Sequence, residues 1–510
     1  MGRTQKSFKN IKFALFGQAI NIVLSFATRK VFISILETEY LGLSGVFSNI
    51  LSLLSLAELG VGSALIYCLY KPIVEDDREK IKTIMVIYKK TYSAIGILVS
   101  FLGIILTPFL DSFVKEMPNL PNIQLIYILY VLNSGISYFL VYKRSFIIAN
   151  QNGYICTIYS TISKFAMYVI QILVLLFTQE YILFLLTMIT FTIGENLLIS
   201  LKADKMYPFL SEKATYKLPA DEKLALKKNI IGMSFHKFGD ILVNGITNLL
   251  IGKIVGVFEV GLYSNYLLIR NSLDMVTNLI YQSITPSIGN LNIEAEDKYK
   301  LTVFNRLFFL TAWVFGFCAT GLICLYNPFI TVWLGNKYLF GMHTIIVIVL
   351  NFYLIGMRKP IAATRDAMGL FWYDRLKCIP EIIINLVVSL FLGKRYGIVG
   401  IFYGNLVSNL STTFWIYPLV LYKYGLHTDI RKYFIRLIIY ICATVAGVFL
   451  TFGACSFIRG VSIVSFIIKF IICAVLPNIL YIALSFKTPE FTYFFNLILR
   501  NSIVKKVKLN

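Results

Sequence analysis

The chain has 510 residues, 57% of them apolar and only 15% charged, with 48 Lys and Arg against 26 Asp and Glu. That balance excludes an ordinary soluble globular protein, and apolar runs that are continuous rather than alternating exclude a β-barrel. A net charge of +22 would suggest nucleic acid in a soluble protein, but in a chain built of apolar runs it is first a matter of loop charge.

The basic N-terminus, MGRTQKSFKNIK, enters an apolar run without a small-residue cleavage site, so an uncleaved first helix is expected. About fourteen transmembrane helices are predicted, at roughly 13–36, 43–70, 85–110, 122–149, 155–178, 181–202, 229–255, 261–289, 301–326, 338–364, 377–394, 397–421, 433–457 and 461–485. Only Gln179-Glu180 separates the fifth from the sixth, and the tenth runs into Arg358-Lys359-Pro360. The connection between the sixth and seventh carries Lys213, Lys217, Lys223, Lys227 and Lys228, is interrupted by Pro208 and Pro219, and reads as a linker. The tail from Lys487 to Asn510 fits either an amphipathic helix on anionic lipid or a partly disordered basic segment.

Basic residues are unevenly distributed. With the N-terminus inside, the outer turns hold only Lys115, Lys253, Lys337, Lys394, Arg395 and Arg459. Thirty-six others fall on the N-terminus, the inner loops and the tail, which predicts both termini in the cytoplasm and accounts for the basic surplus without nucleic acid.

The sequence echoes itself. Glu39-Tyr40-Leu41-Gly42-Leu43 precedes the second span and Glu259-Val260-Gly261-Leu262-Tyr263 the eighth, with the glycines 219 residues apart. Pro108 and Pro328, each before a Phe, lie 220 apart, and Gly153 and Gly369 lie 216 apart. Two six-helix lobes in the same orientation are expected, related by a pseudo-twofold axis along the membrane normal, plus two C-terminal helices. The predicted organisation is an N-terminal lobe at 1–202, a cytoplasmic linker at 203–228, a C-terminal lobe at 229–421, extra helices at 422–485 and a basic cytoplasmic tail at 486–510.

Charges at membrane depth are costly and mark function or pairing. The first half has Arg29, Lys30, Glu58, Lys164 and Glu195, and the second His236, Lys237, Asp240, Arg270, Asp274 and Lys469. In a purely structural reading, Arg270 and Asp274 neutralise each other one turn apart, and Glu58 pairs with Arg29. In a functional reading, Arg29 and Arg270 present their donor forks to the diphosphate of a lipid-linked sugar. Lys164, Lys237 and Lys469 assist, while Glu58, Asp240, Asp274 and Glu195 serve as cavity carboxylates or take up H⁺ or Na⁺. Lys164 and Lys469 also fit span ends, and Lys30 fits snorkelling to headgroups.

No enzymatic constellation is visible. The sequence has no Walker A loop and no HExxH, and its three histidines are too sparse for a metal site. The eight cysteines lie in or beside apolar runs without a CxxC and read as small core residues. No cofactor or metal is expected. The short outer loops weigh against a membrane polymerase or glycosyltransferase.

Arg29, Tyr40-Leu41-Gly42-Leu43, Ala57-Glu58-Leu59-Gly60 and Leu69-Tyr70-Lys71-Pro72, with fourteen spans in a six-plus-six-plus-two arrangement, resemble the Wzx-type polysaccharide flippases. These belong to the multidrug/oligosaccharidyl-lipid/polysaccharide (MOP) exporter superfamily, and the likeness covers essentially the whole chain. It implies a MATE-like transporter, not an enzyme, in the bacterial cytoplasmic membrane. Its substrate would be an undecaprenyl-diphosphate-linked oligosaccharide, moved between leaflets by alternating access for surface polysaccharide biosynthesis. A polysaccharide polymerase and chain-length machinery would be further partners. Arg29 and Arg270 sit where related lipid II flippases place cavity arginines, and the last two spans resemble the pair that holds a prenyl tail. A multidrug exporter of the same superfamily and a lipid II flippase are the alternatives.

Overall fold

A computed structural model describes residues 3–58, 61–150, 152–214, 245–294, 296–368, 376–458 and 462–496, together with 216, 219, 370, 373, 374 and 460. Among them the chain is almost wholly helical and contains no strand. The helices are α1 (Arg3–Ile35), α2 (Thr38–Leu54), α3 (Val61–Val74), α4 (Arg78–Ile105), α5 (Ile123–Tyr138), α6 (Val141–Ala149), α7 (Gly153–Thr178) and α8 (Tyr181–Met206). They continue with α9 (Gly245–Val255), α10 (Val257–Glu294), α11 (Asp297–Trp333), α12 (Met342–Ala367), α13 (Cys378–Tyr396), α14 (Ile398–Ser411), α15 (Thr413–Tyr424), α16 (Arg431–Ser456) and α17 (Ile463–Ser485). A helical stretch at 489–496 follows.

Thirteen of the fourteen expected stretches carry helix, because a backbone in lipid must satisfy its own hydrogen bonds, and of the seventh the described residues 245–255 are helical while 229–244 lie outside the described residues. Among the described residues eight helices are long and apolar enough to cross a membrane, or nine if α5 and α6, bent by 43°, count as one. That bend falls at Leu140, whose φ of +67° is left-handed and ends the α5 ladder. The second expected span is also broken: α2 ends in a tight turn over Ser55–Glu58, and α3 restarts at Val61. The third begins earlier than hydropathy indicates, because Asp77 caps α4 by accepting from the Lys80 backbone amide at 3.0 Å. The tenth continues through Pro360 to Ala367, with the Thr364 hydroxyl donating to the Pro360 carbonyl at 2.8 Å.

The residues form two compact units, Met1–Val276 with Asn385–Ile401, and Thr277–Ile384 with Phe402–Asn510. In the first, α1 packs on α7, α4 on α5, and α8 on both α5 and α7. One core there gathers Leu65, Leu69, Tyr88, Tyr92, Val99 and Phe146. In the second, α11 packs against α12, α16 and α17 around Phe308, Phe315 and Phe352. The outward faces of α16 and α17 expose Ile435, Ile438, Phe449, Ile467 and Phe470, an apolar surface suited to lipid.

The two echoed glycines meet. A Cβ on Gly42 would strike the carbonyl of Val257, and one on Gly261 would lie 2.8 Å from the carbonyl of Thr38. Thr38 precedes Gly42 by one turn as Val257 precedes Gly261, so α2 and α10 cross backbone to backbone in a reciprocal contact. Gly42→Ala is expected to destabilise the protein by about 1–3 kcal/mol, because a carbonyl cannot swing aside as a side chain can. Thermal unfolding in detergent measures this, and a variant that melts with the wild type would refute the close crossing.

Candidate functional site

Arg29 lies in α1, half-buried, and reaches α10 just beyond the glycine crossing. Its Nη1 donates to Ser264 Oγ at 2.8 Å and to Asn265 Oδ1 at 3.4 Å. The Ser264 hydroxyl in turn donates to the Gly261 carbonyl at 2.7 Å, and Asn265 is fully buried. The absence of side chains at Gly42 and Gly261 lets α10 come close enough for this reach. Tyr130 and Tyr181, whose hydroxyls are 2.9 Å apart, lie near the guanidinium together with Tyr168. Tyr40 and Phe32 pack on the Tyr181 ring. Among the described residues, Arg29 has neutral partners only and no carboxylate within ion-pair distance, and its hydrogen bonds all leave from Nη1. Nε and Nη2 remain available to an anion.

Arg270 is placed differently. It lies on α10 with Nε 3.4 Å from Asp274 Oδ2, one turn on, and also bonds Tyr263. At 3.6 residues per turn it sits about 120° round the helix from Ser264 and about 140° from Asn265. The two arginines thus meet one helix on different faces, one neutralised by a carboxylate and the other not.

Glu58 sits in the turn that breaks the second span. It accepts from the Tyr92 hydroxyl of α4 at 2.6 Å, and Tyr138 of α5 also approaches it. Among the described residues no Lys or Arg is within ion-pair distance of Glu58. Glu195 of α8 is held by Arg144 of α6 and by the Ser160 hydroxyl of α7 at 2.5 Å, and Arg144 also donates to Ser160 at 3.1 Å. The sequence reading counts Arg144 with the inner-loop cations although it lies inside the fourth expected span, 122–149, and that position is the signal that could have found it. Lys30 and Lys164 are exposed on α1 and α7, and Lys469 is half-buried on α17 in the second unit. His236, Lys237 and Asp240 lie outside the described residues.

The fold is similar to that of several solved membrane transporters. A solved structure of the lipid II flippase MurJ in an inward closed conformation superposes with a TM-score of 0.62 at 14% identity, over 92% of this chain and 98% of that one. An inward-facing multidrug resistance MATE family transporter of the MOP superfamily gives 0.61 at 13% identity, over 81% of this chain and 99% of that one. A point mutant of the Vibrio cholerae MATE transporter VcmN gives 0.57 at 13% identity, over 84% of this chain and 99% of that one. No family profile and no curated protein sequence matches the chain.

Proposed function

We infer that this protein moves an undecaprenyl-diphosphate-linked oligosaccharide across the bacterial cytoplasmic membrane by alternating access, with both termini in the cytoplasm. The observation that carries this reading is Arg29, an intramembrane guanidinium with neutral described partners and free donors. Such a cation is costly in lipid unless it serves an anion, and a diphosphate matches its fork. Arg270 offers its charge as a second cation when its pair with Asp274 opens. A lipid-linked substrate is the reading we favour over a drug-like one, on the length of chain each neighbour covers. The lipid II flippase aligns with 92% of the chain and the MATE family transporter with 81%, and the difference amounts to the length of two membrane spans.

Glu58 is the carboxylate we assign to ion coupling, since tyrosine hydroxyls rather than a cation hold it, in a broken helix of the kind that lines cavities. The test uses purified protein in vesicles carrying a prenyl-diphosphate oligosaccharide on one leaflet. Protein should equilibrate it between leaflets and empty vesicles should not, and a proton gradient should change the rate in wild type but not in Glu58→Gln. Equal distributions with and without protein, accompanied by accumulation of a cationic dye, would transfer the assignment to a multidrug exporter. A Glu58→Gln protein that keeps the wild-type gradient response would remove Glu58 from coupling.

A further inference from the structure

We propose that the second unit carries a three-sulfur site for a soft monovalent metal ion of the Cu(I) class, formed by Cys324, Cys455 and Cys473. No spacing motif announces it. Cys324 comes from α11, Cys455 from the end of α16 and Cys473 from the middle of α17, and their sulfurs all lie within 4.8 Å of one another. All three residues are buried, at 5%, 5% and 2% exposure. Of the eight cysteines in the chain, these three come together as a group that can share one ion.

The geometry suits a trigonal ion. A metal–thiolate bond is about 2.3 Å, so three sulfurs around one ion in a plane stand about 4.0 Å apart. The Cys455 and Cys473 sulfurs are 4.0 Å apart already. The surroundings select among ions. Leu325 and Ile472 pack on the cluster, and among the described residues no His, Asp or Glu joins the three sulfurs. Zinc in a closed protein site takes four ligands and would lack one here, whereas a soft Cu(I) ion is satisfied by sulfur ligands alone.

Charge also balances. Two of the three thiols give up their protons to the buffer, since the thiolate is the strong ligand, and the third stays neutral. Cu(I) held by two thiolates and one neutral thiol carries one net negative charge. Lys469 lies one turn before Cys473 on α17 and is close enough to act on the Cys455 sulfur. Its ammonium offsets that charge inside an apolar shell, where an uncompensated charge is costly. A bound ion would tie α11, α16 and α17 together at one point.

The test uses the full-length protein, purified in detergent under reducing, oxygen-free conditions and titrated with Cu(I) against a chromophoric Cu(I) chelator. The expected result is one ion per chain, held against the chelator, with copper-edge X-ray absorption reading three sulfurs at about 2.3 Å. Cys455→Ser and Cys473→Ser should bind at least tenfold more weakly, while Cys442→Ser, at an exposed position of α16, should bind as the wild type does. Since a serine in this shell can disturb folding, Cys455→Ala and Cys473→Ala are compared alongside, each checked by size exclusion. Wild type that yields all its copper to the chelator would overturn the proposal, and so would a spectrum of nitrogen and oxygen ligands or binding that survives in the alanine variants. Zinc held as tightly as copper would overturn the choice of ion.

Discussion

Arg29→Ala is expected to reduce transport of the lipid-linked substrate by about 10- to 100-fold while the protein still inserts and folds. A hydrogen bond to a charged group contributes about 1.5–3 kcal/mol, and each 1.4 kcal/mol is a factor of ten in affinity. The fold tolerates the change because Arg29 bonds a serine and an asparagine, not a carboxylate. Ser264 keeps its bond to the Gly261 carbonyl, and Asn265 loses one partner, at a cost of about 1 kcal/mol. Arg29→Lys keeps a point charge but loses the planar fork, so it should fall between wild type and alanine. The leaflet-resolved vesicle assay measures the rate and thermal unfolding in detergent measures the fold. Wild-type transport by Arg29→Ala would remove this residue from the substrate site.

The second large effect is structural and falls on Arg144, another partly buried arginine of the first unit. Arg144→Ala should destabilise the protein by about 3 kcal/mol, near the lower end of the range for breaking a buried ion pair. Arg144 keeps 28% of its side chain exposed and Glu195 only 15%, so the cost arises mainly from stranding the carboxylate. Glu195→Gln should cost less, because the amide still accepts from Arg144 and Ser160. In the double variant Arg144→Ala/Glu195→Gln the penalties should fall short of additive, the signature of a direct pair. Transport per folded molecule should be unchanged in Glu195→Gln. A single variant as stable as wild type would show that the pair contributes nothing to the fold.

The fourteen apolar stretches were legible in the sequence, because twenty apolar residues in lipid admit little but a helix. The breaks were not, because hydropathy averages over them: Ser55–Glu58 and Leu140 sit inside runs whose average stays apolar despite Glu58, Lys143 and Arg144. Helix facing was equally hidden. Arg29 could be singled out as an intramembrane cation, but only the approach of α10 gives it Ser264 and Asn265 in place of the Glu58 partner considered from sequence. Arg270 and Asp274, one turn apart, were legible as a pair because their separation is local. Arg144 and Glu195, 51 residues apart on helices that meet only after the Leu140 bend, were not. Cys324 stands far from Cys455 and Cys473 in the chain, and the three show no spacing signal at all.

The crossing of Gly42 and Gly261 has a consequence for the history of the chain. A residue that contacts its own repeat counterpart occupies the position where, in a symmetric dimer of two identical copies, it would touch itself. If the two halves arose by duplication and fusion, one glycine in the ancestor met this demand twice, and fusion divided the demand between two codons. The contact is still read from both sides, with the Thr38 carbonyl facing one glycine and the Val257 carbonyl the other. Randomising both codons together should therefore return Gly–Gly pairs far in excess of chance, with a larger residue tolerated at one position only when the other remains glycine.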